Sequence, residues 1–171
     1  MTLTIRPASK ADIPRMQEIE RSAAELFRGS PLIDMEEMAV VAMTDHIDAI
    51  AAGLSLLAEI DGRSAGFAMG EMWGGDAYLH EIDVDTAFQR QGVGAALVTA
   101  FLQVANAKGA DAVYLSTFRD PPWNAPFYAR MGFREVARAD YLPWMRDIEA
   151  QQAEFLDIAT RVFMKRPAAS T

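Results

Sequence analysis

Gln89-Arg90-Gln91-Gly92-Val93-Gly94 sets two glycines at alternate positions between an apolar run, Tyr78 to Val84, and a helical pattern that continues to Lys108. A strand, a glycine turn and a helix start together make an anion site. The first N–H groups of a helix lack intrahelical partners and carry the positive end of its dipole. Glycines remove the side chains that would hold a phosphate away from those amides. The ligand expected here therefore carries phosphate. A dinucleotide loop would need a third glycine, where this chain has Leu97, and no Gly-Lys-Ser/Thr follows to make a nucleotide-triphosphate loop.

These residues need a scaffold, and the chain is patterned to supply one. Thr2 to Arg6 alternates as a short strand, and Ser9 is placed to cap a helix reaching about Arg28. Its apolar stripe is Ile13, Met16, Ile19, Ala23 and Leu26-Phe27. After the break at Gly29-Ser30-Pro31, the spacing of Met35, Met38, Val41 and Ala42 predicts a second helix, from Pro31 to about His46. Leu54 to Ile60 and Ser64 to Met72 flank Asp61-Gly62, a two-residue hairpin signal, and Gly74-Gly75 turns the chain into Tyr78–Val84. Val93, Leu97, Phe101 and Val104, with Ala96 and Ala100, make one helix face, ended by Gly109. Ala112 to Ser116 follows a helical crossover and so runs parallel to Tyr78–Val84. Asn124 to Met131 reads as a short helix capped by Asn124, and Phe133–Ala137 with Thr160–Lys165 as a closing antiparallel pair. Residues 139–158 form an insertion carrying Tyr141, Trp144 and Met145.

Composition narrows the function. With 171 residues, 51% hydrophobic and 23% charged, one domain is expected over residues 1–166, with 167–171 as a disordered tail. Zero cysteines exclude a cysteine nucleophile and thiolate metal sites, and two histidines, His46 and His80, supply a histidine metal site poorly. No metal is expected. A net charge of -8 argues against nucleic acid or an anionic membrane as partner. Without a leader-like apolar stretch or a span of roughly 20 apolar residues, a cytoplasmic location is expected.

Ile82-Asp83-Val84-Asp85 followed by Gln89-Arg90-Gln91-Gly92-Val93-Gly94 resembles the acetyl-CoA signature of the GCN5-related N-acetyltransferases (GNAT), Q/R-x-x-G-x-G/A after an apolar strand. A second block, Trp123 to Phe133, resembles that family's other CoA-contacting segment, with Phe127-Tyr128 and then Gly132-Phe133. The order of strands and helices is similar from Thr2 to Lys165. The resemblance implies an α/β (α+β, three-layer) acyl-CoA N-acyltransferase fold. Its sheet would be mixed, mostly antiparallel and twisted, with about seven strands flanked by helices.

The resemblance also implies roles. The amides of Gln91, Gly92, Val93, Gly94 and Ala95 would hold the CoA pyrophosphate, with Gln89 and Arg90 beside them. Backbone groups of Ile82, Asp83 and Val84 would meet the pantetheine arm where two strands splay after Val84, and the Val84 amide would face the thioester oxygen. Tyr128 would protonate the departing thiolate, and Phe127 would line the CoA segment. For the base that deprotonates the acceptor ammonium, Glu81 leads. His80 and Asp83 lie on the same strand, and a water relay would need no dedicated residue. Alternation puts His80 with Ile82 and Val84, opposite Glu81 and Asp83. Relatives carry an asparagine seven residues before the tyrosine, where this chain has Pro121. Asn124 is then either a CoA ligand or only a helix cap.

The expected activity is acetyl transfer from acetyl-CoA to a primary amine of a small molecule, by direct attack in a ternary complex, since no cysteine can carry an acyl group. A protein N-terminal or lysine acetyltransferase and a non-catalytic acyl-CoA sensor are the rivals, and a homodimer is compatible with either. The 31–46 helix and the insertion with Tyr141 and Trp144 are the expected acceptor walls. Met35, Met38, Met43 and Met145 are expected in an adaptable surface or in core, and Asp34, Glu36 and Glu37 as a solvated face.

Overall fold

The computed structural model describes residues 1–169. Seven strands form one sheet in the order β1-β2-β3-β4-β5-β7-β6. They are β1 (Leu3–Pro7), β2 (Ser55–Ile60), β3 (Arg63–Trp73), β4 (Asp76–Val84), β5 (Ala112–Phe118), β6 (Arg134–Glu135) and β7 (Arg161–Pro167). Every neighbouring pair is antiparallel except β4 with β5. The helices are α1 (Ile13–Ala24), α2 (Met43–Ala51), α3 (Val93–Ala107), α4 (Ala125–Arg130) and α5 (Pro143–Gln152). None of the described helices is long and apolar enough to cross a membrane.

The β2–β3 hairpin turns where expected, with Asp61 at φ 49° and Gly62 at φ 77°, the paired positive φ values of a tight hairpin turn. On one sheet face lies α3, whose Val93, Leu97, Val98, Phe101 and Leu102 are buried against the strands. Close approach there depends on Gly70, because an added Cβ would run into the Phe101 ring and the Tyr78 carbonyl. The opposite face is covered in two parts. Met16 and Ile19 of α1 and Ala49 of α2 bury Leu57, Phe67 and Met69. From α5, Trp144 and Met145 cover Tyr78, Tyr114 and Phe163. Trp144 stands edge-on to Trp73 at 4.8 Å and to Tyr114 at 5.4 Å.

Three expectations are corrected. The helix expected from Pro31 to His46 is absent: residues 31–42 are turns and irregular chain, and the helix is Met43–Ala51. Side chains hold that segment in place. Asp34 Oδ1 accepts from the Glu36 N–H at 2.9 Å, Gln17 donates to the Val41 carbonyl at 3.1 Å, and Glu20 captures the Val41 N–H. The insertion contains α5, whose Met145 is core while Trp144 packs, partly buried, against it rather than forming a free wall. Finally, Pro167 and Ala168 of the expected tail are held in the fold: Pro167 pairs with Ala112, and buried Ala168 donates to the Asp111 carbonyl at 3.0 Å. The last two residues of the expected tail lie outside the described residues.

Candidate active site

The parallel pair β4–β5 is short. Only Ala77↔Val113 and Tyr78↔Tyr114 are in register, so the strands part after Tyr78, six residues earlier than expected from the sequence. From Leu79 to Val84 the β5 side of β4 therefore has no ladder partner. The register with β3 says which groups face that gap. Val84 lies opposite Gly66, and Asp85 N–H donates to the Ala65 carbonyl at 2.9 Å, the pattern that flanks a non-hydrogen-bonded antiparallel pair. Ile82 opposite Ala68 shares this phase, so the N–H and C=O of Ile82 and Val84 point away from β3 into the gap. The Val84 carbonyl meets Gln89 Nε2 at 3.4 Å, and the two amides are left free.

A β-bulge sets the side-chain faces. Glu81 pairs with Met69 but Leu79 pairs with Gly70, which makes His80 an extra residue on β4. Simple alternation is thereby broken. His80 is exposed, while Tyr78, Glu81 and Asp83 share the face covered by α1, α2 and α5. Ile82 and Val84 pack on the α3 side.

On the first of these faces, Glu20 of α1 joins Glu81 and Asp83, each bringing a carboxylate oxygen within 4.8 Å of the others. Glu20 is 8% exposed, and its two oxygens accept from the Val41 N–H at 2.9 and 3.0 Å. Three such groups cannot all be ionised in a desolvated cluster. Burial, then the charge of Glu81, pushes Glu20 up to about 8. Burial also raises Glu81, and it raises Asp83 further because Asp83 faces both other carboxylates. Asp83 Oδ2 is buried with no hydrogen-bond partner among the described residues. Each of the three carboxyls therefore holds its proton more tightly than an isolated one would, chiefly through burial. Three oxygen ligands could also attract a hard divalent cation.

Tyr128 lies on α4, 6% exposed, with its ring edge-on to Phe127 at 5.1 Å and Phe133 at 5.8 Å. Burial first, then the charges of Glu81 and Asp83, raises its phenol well above the ordinary range, so the hydroxyl keeps its proton. Asn124 occupies the N-cap position of α4 but makes no side-chain cap bond, contrary to the capping expected, and its Oδ1 is buried without a partner.

At the start of α3, Gly92 adopts φ +80° as the N-cap and Arg90 adopts φ +60°. The Gly92 carbonyl takes the first helical bond from Ala96, which leaves the amides of Val93, Gly94 and Ala95 without helical partners. Gly94 sits where an added Cβ would lie 3.5 Å from Phe127 and 3.9 Å from Val84, so the glycine, the β4 end and α4 converge. The orphaned α3 amides lie next to the end of β4, whose Ile82 and Val84 backbone is free on the gap side. They suit an extended ligand with a phosphate end and an amide-bearing arm, as CoA has.

Glu20 and Arg161 belong to this site and were not picked out from the sequence. Glu20 has a signal, a charge set into the buried stripe of Met16, Ile19 and Ala23. Arg161, across the gap on β7, has none. The acceptor-side methionines divide: Met145 is core, Met43 is exposed, and Met35 and Met38 line an open cavity of about 630 Å³ between α1 and residues 35–40. Asp34, Glu36 and Glu37 are exposed.

Comparison with known proteins adds to this geometry. The profile of the Acetyltransferase (GNAT) family matches residues 15–133. A mycothiol acetyltransferase of Clavibacter michiganensis subsp. michiganensis is 38% identical over 87 residues, 49% of this chain and 28% of that protein, so the chain spans under a third of that relative. Among solved structures, the PaiA N-acetyltransferase of Thermoplasma acidophilum in complex with coenzyme A superposes with TM-score 0.75 at 16% identity, covering 98% of this chain and 99% of that one. The ribosomal-protein-S18-alanine N-acetyltransferase of Escherichia coli gives TM-score 0.70 at 20% identity, covering 99% and 96%.

Proposed function

The chain belongs to the acetyltransferase (GNAT) family, and from that premise we propose that it acetylates a primary amine of a small molecule within a ternary complex with acetyl-CoA. The observation that carries this reading is the early parting of β4 and β5. It opens a gap with free Ile82 and Val84 amides directly beside Glu81. The α3 amides from Gln91 to Ala95, with Arg90 and Gln89, would hold the pyrophosphate. Ile82, Asp83, Val84, Asn124 and Phe127 would hold the arm. When bound, acetyl-CoA supplies an acetyl group activated as a thioester.

Glu81 accepts the proton that the acceptor ammonium must lose before its nitrogen can form the new C–N bond. Burial keeps Glu81 proton-hungry. The Val84 amide donates to the carbonyl oxygen as negative charge develops there, a contribution of about 3 kcal/mol for a donor of this kind. Tyr128 delivers its proton to the sulfur as the C–S bond breaks. A small acceptor is supported by the segment 31–42, whose Val41 backbone Gln17 and Glu20 tie to α1 beside the carboxylate cluster. The neighbour named for a ribosomal-protein alanine makes a polypeptide acceptor the reading to exclude.

Thiol release from acetyl-CoA over a panel of amines tests the proposal. Glu81→Gln should lower kcat about 100-fold or more while acetyl-CoA affinity holds, within the usual range for losing a general base. Turnover on peptides but on no small amine would overturn the acceptor class. Unchanged kcat in Glu81→Gln would remove Glu81 as base.

A further inference from the structure

Arg161 opens β7 opposite Phe118 and lies over that ring at 4.5 Å. One guanidinium nitrogen donates to Ser116 Oγ at 3.1 Å, and Ser116 is held in turn by Gln152 of α5 at 3.3 Å. Beyond that the cation is unmatched. Its Nε is buried with no partner, and no carboxylate among the described residues lies within ion-pair distance. A cleft of about 280 Å³ adjoins it, lined also by Arg119, Glu135, Arg138, Tyr141 and Glu149. The other two arginines there are already satisfied: Arg119 pairs with Glu135 at 3.0 Å and Arg138 with Glu149 at 2.6 Å. Arg161 is the one cation of this cleft without a carboxylate partner among the described residues.

Its position relative to the catalytic cluster is fixed by the sheet. Tyr114, Ser116 and Phe118 alternate on β5, and Tyr114 joins Tyr78 and Phe163 under α5. Ser116, Phe118 and Arg161 therefore occupy the same face as Glu81 and Asp83, across the β4–β5 gap. The Arg161 charge reaches Tyr78, Glu81 and Tyr128, and burial lowers its own proton affinity. An unpaired buried guanidinium is costly to keep, and a carboxylate offering two parallel hydrogen bonds is its best-matched partner.

We propose that Arg161 binds a carboxylate of the acceptor, so that the amine acetylated at Glu81 belongs to an amino-acid-like zwitterion. The floor of the gap is dipolar, with three carboxylates on the α1–β4 side and the free guanidinium on the β5–β7 side. A diamine would set its second ammonium against Arg161, whereas a zwitterion satisfies both ends. Arg161 is then a specificity-determining residue, and this rests on the acetyltransferase reading above.

The test compares acceptors that differ only by the carboxylate: phenylalanine with 2-phenylethylamine, lysine with cadaverine, and 4-aminobutyrate with propylamine. The wild-type protein should favour the carboxylated member of at least one pair by about 10- to 100-fold in kcat/KM, the worth of one charge-assisted contact. Arg161→Met should erase that preference, chiefly through KM, with acetyl-CoA affinity retained, and Arg161→Lys should keep part of it. Equal or better turnover of the carboxylate-free amines by the wild type overturns the proposal, and this comparison stands even if Arg161→Met fails to fold. So does an equal loss on both members of a pair, or a loss of acetyl-CoA affinity in Arg161→Met. No release of thiol with any amine would instead sink the acetyltransferase reading itself.

Discussion

Glu20 holds a proton that an unfolded chain would release. Its carboxyl, pushed up to about 8 from 4.5, binds more protons in the folded state between those two pH values. Stability from this group is thus fully present below about pH 4.5 and is lost as pH rises toward 8. Glu20→Gln, which keeps an acceptor for the Val41 N–H, should gain on the wild type by a few °C in melting temperature between pH 5 and pH 8. A constant difference across that range would contradict the assigned proton. His46 has the opposite sign. It is fully buried with neither ring nitrogen bonded, and burial lowers its pKa from 6.5. Folding is weakened as pH falls below 6.5, and His46→Leu should be more acid-resistant than the wild type in urea titrations at pH 5. Tyr128→Phe should lower kcat about 100-fold in thiol release and leave acetyl-CoA affinity unchanged by calorimetry. Glu81, Asp83 and Tyr128 were readable because they sit inside patterned blocks. Glu20 and Arg161 were not, since what brings them together is the packing of α1 and β7, far apart in sequence, around one gap.

The junction of β4 with α3 owes its chemistry to backbone. Gly92 is held at φ +80°, where a side chain is strained, but Gly94 is in ordinary helical conformation and an added Cβ would meet only normal contacts. Gly94→Ala should therefore fold with the same or slightly higher melting temperature, alanine being better in a helix by up to about 1 kcal/mol. A larger side chain would stand between Phe127 and Val84, so Gly94→Leu should lower acetyl-CoA affinity by calorimetry at least tenfold, and unchanged affinity would move the ligand elsewhere. This junction was legible because strand, turn and helix announce themselves in consecutive residues. The bulge at His80 was not, because one extra residue leaves no mark in an alternating pattern that reads equally well in either phase. The helix expected over 31–46 failed for a related reason. Met35, Met38, Val41 and Ala42 have helical spacing, yet the Val41 backbone is taken by Gln17 and Glu20, which settles the segment as irregular chain.

Across the whole molecule, one sheet is sealed on its α3 face and covered in two separate pieces on the other, by α1 with α2 and by α5. The proposed catalytic groups of β4 lie where it parts from β5. The carboxylate cluster could be a cation site or a proton-accepting site, and a chelator distinguishes them: EDTA should leave the initial rate unchanged, and loss of activity restored by magnesium or calcium would assign the cluster to a metal. The net charge of -8 predicts no retention of RNA on filters at physiological salt. The central claim is direct transfer between two ligands held together in the gap. Initial rates of thiol release, with acetyl-CoA and amine varied together, test it most directly. Intersecting double-reciprocal lines are the predicted result; parallel lines, or acetyl-CoA binding with no release at any amine concentration, would contradict it.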